Sequence, residues 1–194
     1  MKTLQTTQFA DTGTHFSRHI ESTRNPLKLA RTVNYNRTMR RIKACIKIMI
    51  AGLFLSGITA FPLQTELHLL SNLSGAAPEF MHTWIETVYQ GVKASNRAYP
   101  FLSYGTDWLA FAHIMLAVLF VGPLRDPVKN IWVIEFGMIA CAAILPLAIV
   151  MGPIRHIPFF WTLVDCSFGV IGIIPLYISY INIKKLQQFN RNGL

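Results

Sequence analysis

Asp107, His113 and Asp165 are acid–base side chains set among strongly apolar neighbours. Asp107, Ala110, His113 and Ala117 recur at steps of three and four residues, so they share one face of a helix; Asp165, Gly169 and Gly172 share another. A carboxylate near a bilayer core costs about 2.5–3.5 kcal/mol on insertion scales, so it needs a partner or water. A histidine beside a carboxylate titrates near neutrality, which suits proton coupling. His113 and Asp165 are the expected pair, at about matching depths of 12 Å and 10 Å along parallel helices. Arg155 and His156 sit at the rim, where either could pair with Asp107. These five residues predict an outward-opening polar pocket for a metal, a proton or a small polar ligand. The competing reading is a structural hydrogen-bond network that locks helix register.

Glu79, His82 and Glu86 form a second constellation, three and four residues apart on one helix face. Carboxylate-bridged metal sites use that geometry, but one helix supplies too few ligands and no second Glu-x-x-His copy exists. A solvated polar face is therefore the preferred reading, and a metal the weaker one. Glu135 is expected to snorkel or to pair with Lys129 or Lys47. No Walker loop, GxGxxG, HExxH or GxSxG motif appears. Cys45, Cys141 and Cys166 stand singly in three different apolar stretches, which disfavours thiol–disulfide catalysis. Only one histidine, His113, falls within such a stretch, so a haem held by two intramembrane histidines is disfavoured as well. The sequence specifies no cofactor, and an enzyme is the less favoured class.

The elements that must position these residues follow from composition. The 194 residues are 52% hydrophobic and only 14% charged, with a mean hydropathy of +0.38. About 20 mainly apolar residues cross a bilayer, and four stretches qualify: 44–63, 105–123, 130–152 and 158–183. The expected fold is all-α, a polytopic membrane protein of four transmembrane helices. Between spans one and two lies an outer loop, 64–103, holding an amphipathic helix. Met81, Trp84, Ile85, Val88 and Val92 keep its 3.6-residue period after Pro78. That helix is expected to lie on the membrane surface or to cap the bundle, with Leu63, Leu67, Leu70 and Leu73 forming a shorter stripe before it. Small residues mark helix-packing faces: Gly52, Ser56 and Ala60; Ala110 and Ala117; Gly137, Ala140 and Cys141; Gly169 and Gly172. Pro146 and Pro175 interrupt spans three and four. Asp126-Pro127 reads as the N-cap and first turn of span three.

Charge gives the orientation. Fifteen of the eighteen lysines and arginines fall in 1–47, in the loop between spans two and three, and after residue 183. Lys93, Arg97 and Arg155 are the other three, so both termini are expected in the cytoplasm. Tyr104, Trp108, Phe159, Phe160 and Trp161 would anchor the outer interface, and Trp132, Tyr177 and Tyr180 the inner one. Residues 1–43 read as a basic, largely disordered cytoplasmic tail in which Asn25-Pro26 starts a short helix; 184–194 read as a second tail. A secretory signal does not fit so long a basic region; an organellar transit peptide fits the composition better, though Asp11 and Glu21 count against it, and a bacterial cytoplasmic tail is the preferred reading. The basic run at 37–47 suits anionic lipids, at about 1 kcal/mol per charge. Without interleaved aromatic residues it does not suit nucleic acid.

Three segments carry a resemblance: Tyr104-Gly-Thr-Asp-Trp-Leu-Ala-Phe-Ala-His113, Gly122-Pro-Leu-Arg-Asp-Pro127 and Ile157-Pro-Phe-Phe-Trp161. Over about residues 43–183 the chain resembles a bacterial family of small four-span inner-membrane proteins. That family has no assigned activity, so the resemblance implies an inner-membrane setting and transfers no catalytic residues. Two functions are expected from these observations. One is an accessory or sensing protein that binds a ligand, a metal or a proton in the outer pocket. The other is a small transporter or channel with a His113–Asp165 relay, which at four spans without inverted repeats would need a homo-oligomer or larger membrane complex.

Overall fold

A computed structural model describes residues 26–191, all of whose regular elements are helical. The expected disorder of 1–25 and the last three residues of the C-terminal tail lie outside them. The helices are α1 (Pro26–Ala60), α2 (Leu63–Leu73), α3 (Glu79–Ala98), α4 (Ser103–Leu119), α5 (Val121–Arg125), α6 (Ile131–Ile154) and α7 (Phe159–Arg191). Single 3-10 turns, Ser74–Ala76 and Pro100–Leu102, join α2 to α3 and α3 to α4. Four segments are long and apolar enough to cross a membrane: Thr32–Ala60, Pro100–Arg125, Ile131–Ile154 and Phe159–Gln188. Their outward faces are apolar too, with Ile139 68% exposed, Phe168 65% and Ile171 63%. Water would tolerate no such surface; lipid does. The chain is an all-α polytopic membrane protein.

α1 packs along α4 and also along α7, and α7 packs along α6. α1 and α7 meet at the end of the bundle that carries most of the basic residues, where Ile42 and Ile46 lie buried with Ile183 and Leu186. Phe120 and Val133 join the same core from the α4–α6 connection. Farther along, α1 closes on α4 through Gly57. A Cβ there would lie 2.8 Å from the Ala110 carbonyl oxygen, so only glycine permits that approach. Ala110 and Ala117 of the expected stripe are buried, whereas Gly52 and Ser56 of the other stripe are exposed. The expected stripe on span one therefore lies off the packing face: the close approach uses Gly57, one residue on from Ser56.

Several boundaries differ from the sequence reading. Pro26 does start a helix, but a long one, continuous with span one. Tyr35, Met39, Ile42, Ile46, Met49 and Leu53 recur at steps of four and three and give this helix a buried face. Residues 35–43 therefore pack in the bundle, and 26–34 continue the same helix, where a disordered tail was expected. α7 likewise runs on to Arg191 because Ile183 and Leu186 need that face covered. Asp126 does not cap span three. The Asp126 side chain accepts a hydrogen bond from the Lys129 backbone N–H at 3.1 Å, closing a turn, and α6 starts only at Ile131. The Asn130 side-chain amide ties that turn down by donating to the Gly122 and Asp126 carbonyls, at 3.2 and 3.0 Å. Lys129 pairs with Asp126 at 3.7 Å and not with Glu135.

Candidate functional site

The structure does not bring the five expected pocket residues together. His113 is on α4 and Asp165 on α7, and those helices share α1 as a partner without packing extensively on each other. The His113 ring turns back on its own helix, with Nδ1 2.8 Å from the Leu109 carbonyl oxygen, so Nδ1 carries the hydrogen and donates it. Asp165 makes no hydrogen bond or ion pair among the described residues.

Arg155 and His156 are exposed at the turn from α6 to α7. There the Ile157 N–H donates to Gly152 O at 2.9 Å and the His156 N–H to Pro153 O at 3.1 Å. This pair of bonds is a Schellman cap, and His156 holds its left-handed position with φ 55°. His156 thus stops α6 and turns the chain into α7, a role in chain geometry that the spacing of chemical groups did not disclose.

Asp107 is different. Together with the polar side chains Gln64, Asn96, Ser103 and Thr106 and the apolar Phe61, Leu63 and Val92, it lines a mixed cavity of about 110 Å³ where α1 ends and α2, α3 and α4 converge. The walls are preorganised. The Asn96 amide donates to Gln64 Oε1 at 2.9 Å, and the Ser103 hydroxyl donates to Asn96 Oδ1. Asp107 also borders an adjoining groove of about 280 Å³ whose other walls are aromatic: Phe61, Tyr104, Trp108 and Phe111. Tyr104 and Trp108 meet edge to face with centroids 5.9 Å apart, and Trp108 and Phe111 do so at 6.0 Å. Asp107 forms no ion pair or hydrogen bond among the described residues. An unpaired carboxylate between hydrogen-bonding side chains and aromatic rings suits a positively charged group with a short apolar substituent. Gln64, Asn96 and Ser103 were not foreseen. Their only sequence signal is polar residues at three element ends that the tight turns after Ala60 and Ala98 draw together.

Glu79, His82 and Glu86 form no metal-binding group; among the described residues there is no cluster of three His, Cys, Asp or Glu side chains able to hold one. His82 and Glu86 are half-exposed, as a solvated face would be, and both also hydrogen-bond to α2 or the turn that follows it. His82 Nδ1 lies 2.8 Å from the Ser74 hydroxyl, and Glu86 accepts hydrogen bonds from the Ser71 hydroxyl and, at 2.7 Å, from the Gln90 amide. Ser71 and Ser74 are buried, so this polar seam fastens α2 to α3. The amphipathic helix keeps its apolar face as expected, with Ile85 buried and Phe80 meeting Phe160 of α7 edge to face at 4.9 Å.

The bonds from Gln90 and then Ser71, with smaller attraction from His82 and Lys93, hold the Glu86 carboxyl below its ordinary range. Its contribution to the seam is therefore complete above the ordinary carboxylate range and falls away as pH drops through the lowered value. Amide-exchange protection across 71–86, corrected for intrinsic exchange, is expected to weaken on acidification in the wild type. It is expected to lose that dependence in Glu86→Gln, and equal acid dependence in both proteins would remove Glu86 as the cause.

Comparison with known proteins adds no name to this geometry: no protein-family model, curated protein or solved structure matches the chain.

Proposed function

We propose that this chain is a multi-pass bacterial inner-membrane protein that binds a small organic cation, an ammonium group bearing a short apolar substituent, at Asp107. The reading places the basic end of the bundle in the cytoplasm, following the lysine and arginine asymmetry. The cavity then opens on the outer side. The observation that carries the reading is the position of Asp107, unpaired and shared between the cavity that holds the Gln64–Asn96–Ser103 hydrogen bonds and the aromatic groove. The carboxylate supplies the charge and the Tyr104 and Trp108 rings supply a favourable face for a cation. Gln64 and Asn96 orient the polar end. Nothing in this arrangement makes or breaks a bond, so the role that fits is recognition, as in an accessory or sensing protein. A proton relay through His113 and Asp165 gains no support from helices that share no extensive contact.

The test is a titration of the full chain in detergent with ethylammonium and tetramethylammonium chloride, with sodium chloride as the ionic-strength control. The Trp108 indole N–H signal in NMR is the readout. Saturable shifts are expected with the organic cations only. Asp107→Asn preserves shape and removes the charge, and is expected to weaken ethylammonium binding about tenfold or more, since hydrogen bonds to a charged group contribute about 1.5–3 kcal/mol. Identical titrations for wild type and Asp107→Asn would remove the site.

A further inference from the structure

At the basic end, a cavity of about 260 Å³ opens between α1 and α7. Its walls include Asn34, Tyr35, Thr38 and Arg41 from α1, and Asn182 and Lys185 from α7. The α1 residues fall on one helix face because 34, 38 and 41 follow at steps of four and three; 182 and 185 are one turn apart on α7. Beside them the buried contact of Ile42 and Ile46 with Ile183 and Leu186 fixes the distance between the two helices. The cavity is thus a consequence of the long α1, which carries polar side chains past the apolar seam.

Its charge is one-sided. Arg41 and Lys185 both border the cavity, and neither pairs with a carboxylate among the described residues. The acids described at this end are Asp126, which is taken by Lys129, and Glu135. Two cations facing one space repel each other unless an anion lies between them. The remaining walls offer hydroxyl and amide donors from Tyr35, Thr38 and Asn34. A group with several anionic oxygens meets both demands, since the guanidinium binds two of them side by side and the hydroxyls reach the others. At about 30 Å³ per water the cavity takes roughly eight water-sized groups, enough for a phosphate with a glycerol-sized substituent.

We propose that this cavity is a binding site for a phosphate ester, mono- or diester, held by Arg41 and Lys185. The position at a helix exit favours an anionic lipid headgroup, as in other basic pockets between membrane helices, but a soluble phosphate ester presents the same chemistry. The site is separate from the Asp107 cavity and stands or falls independently of it.

The test uses the full chain purified in a neutral detergent and native mass spectrometry to count bound molecules. Three probes are compared: dihexanoylphosphatidylglycerol, glycerol 3-phosphate and phosphate-free dihexanoylglycerol. Retention of the first alone identifies a lipid headgroup site, and retention of glycerol 3-phosphate as well identifies a site open to soluble esters; both support the proposal. Binding of none of the probes, or of dihexanoylglycerol equally with the lipid, overturns it. The double variant Arg41→Gln/Lys185→Gln is set against Arg40→Gln/Lys184→Gln, which removes the same charge from neighbouring positions that do not line the cavity. The first pair is expected to weaken retention about tenfold or more and the second less than about twofold. Equal loss from both pairs means diffuse surface attraction and overturns the site. Both double variants are expected to unfold near the wild-type temperature, since Arg40, Arg41, Lys184 and Lys185 are exposed.

Discussion

Gly169→Val is expected to be among the most damaging single changes in the bundle. A Cβ at Gly169 would lie 2.6 Å from the Cys141 carbonyl oxygen, closer than van der Waals contact allows, and that oxygen belongs to the α6 backbone. Neither helix can answer by turning a side chain, so α6 and α7 must separate along their shared face. Overpacking of this kind costs about 1–3 kcal/mol and sometimes more, and the branched side chain puts the change at the upper end. Gly52→Val supplies the control, because nothing lies within 4 Å of a Cβ at that position. The two variants differ in environment and share their chemistry. Thermal unfolding in detergent is expected to fall clearly for the first and to stay near wild type for the second. Similar melting of both would contradict the close packing of α6 on α7.

Ile46→Ala is expected to have the next largest effect. Ile46 is 1% exposed, at the seam that holds the first half of α1 against α7. In lipid the lost term is mainly packing, since hydrocarbon on either side leaves little hydrophobic driving force. Removing three buried carbons from a closed seam still leaves a cavity, and a cost of about 2 kcal/mol follows. Ile48→Ala, two residues on at a position 63% exposed, loses contact only with lipid and is expected to be near neutral. The same pair of variants separates a docked α1 from a free tail. If residues 35–43 were not packed on α7, Ile46→Ala would melt like Ile48→Ala, and amide exchange through 35–43 would be fast in every protein.

What the sequence determined is the set of elements. Four apolar runs long enough to cross a bilayer, the helix after Pro78 with its period at Met81, Ile85 and Val88, and the asymmetry of lysine and arginine were all legible. Each depends on residues close together in the chain or on a property summed over a segment. The packing face of α6 was legible in part: of the expected stripe Gly137 and Cys141, one helical turn apart, are buried, whereas Ala140 is exposed. The length of α1 was also open to reading, in the four-and-three spacing from Tyr35 to Leu53, but the surrounding basic and polar residues mask it.

Tertiary structure alone decided which helices face each other. Parallel direction and matching depth made His113 and Asp165 plausible partners, yet α1 packs on both their helices and no seam forms between α4 and α7. A one-residue difference on a helix is a rotation of about 100°, which is why Gly57 and not Ser56 meets α4. Asp107 gained its neighbours from the tight turns after Ala60 and Ala98, and the basic cavity between α1 and α7 arose from two helices far apart in sequence. Periodicity fixes the angular position of a residue on its own helix. Only the packed bundle fixes what stands opposite.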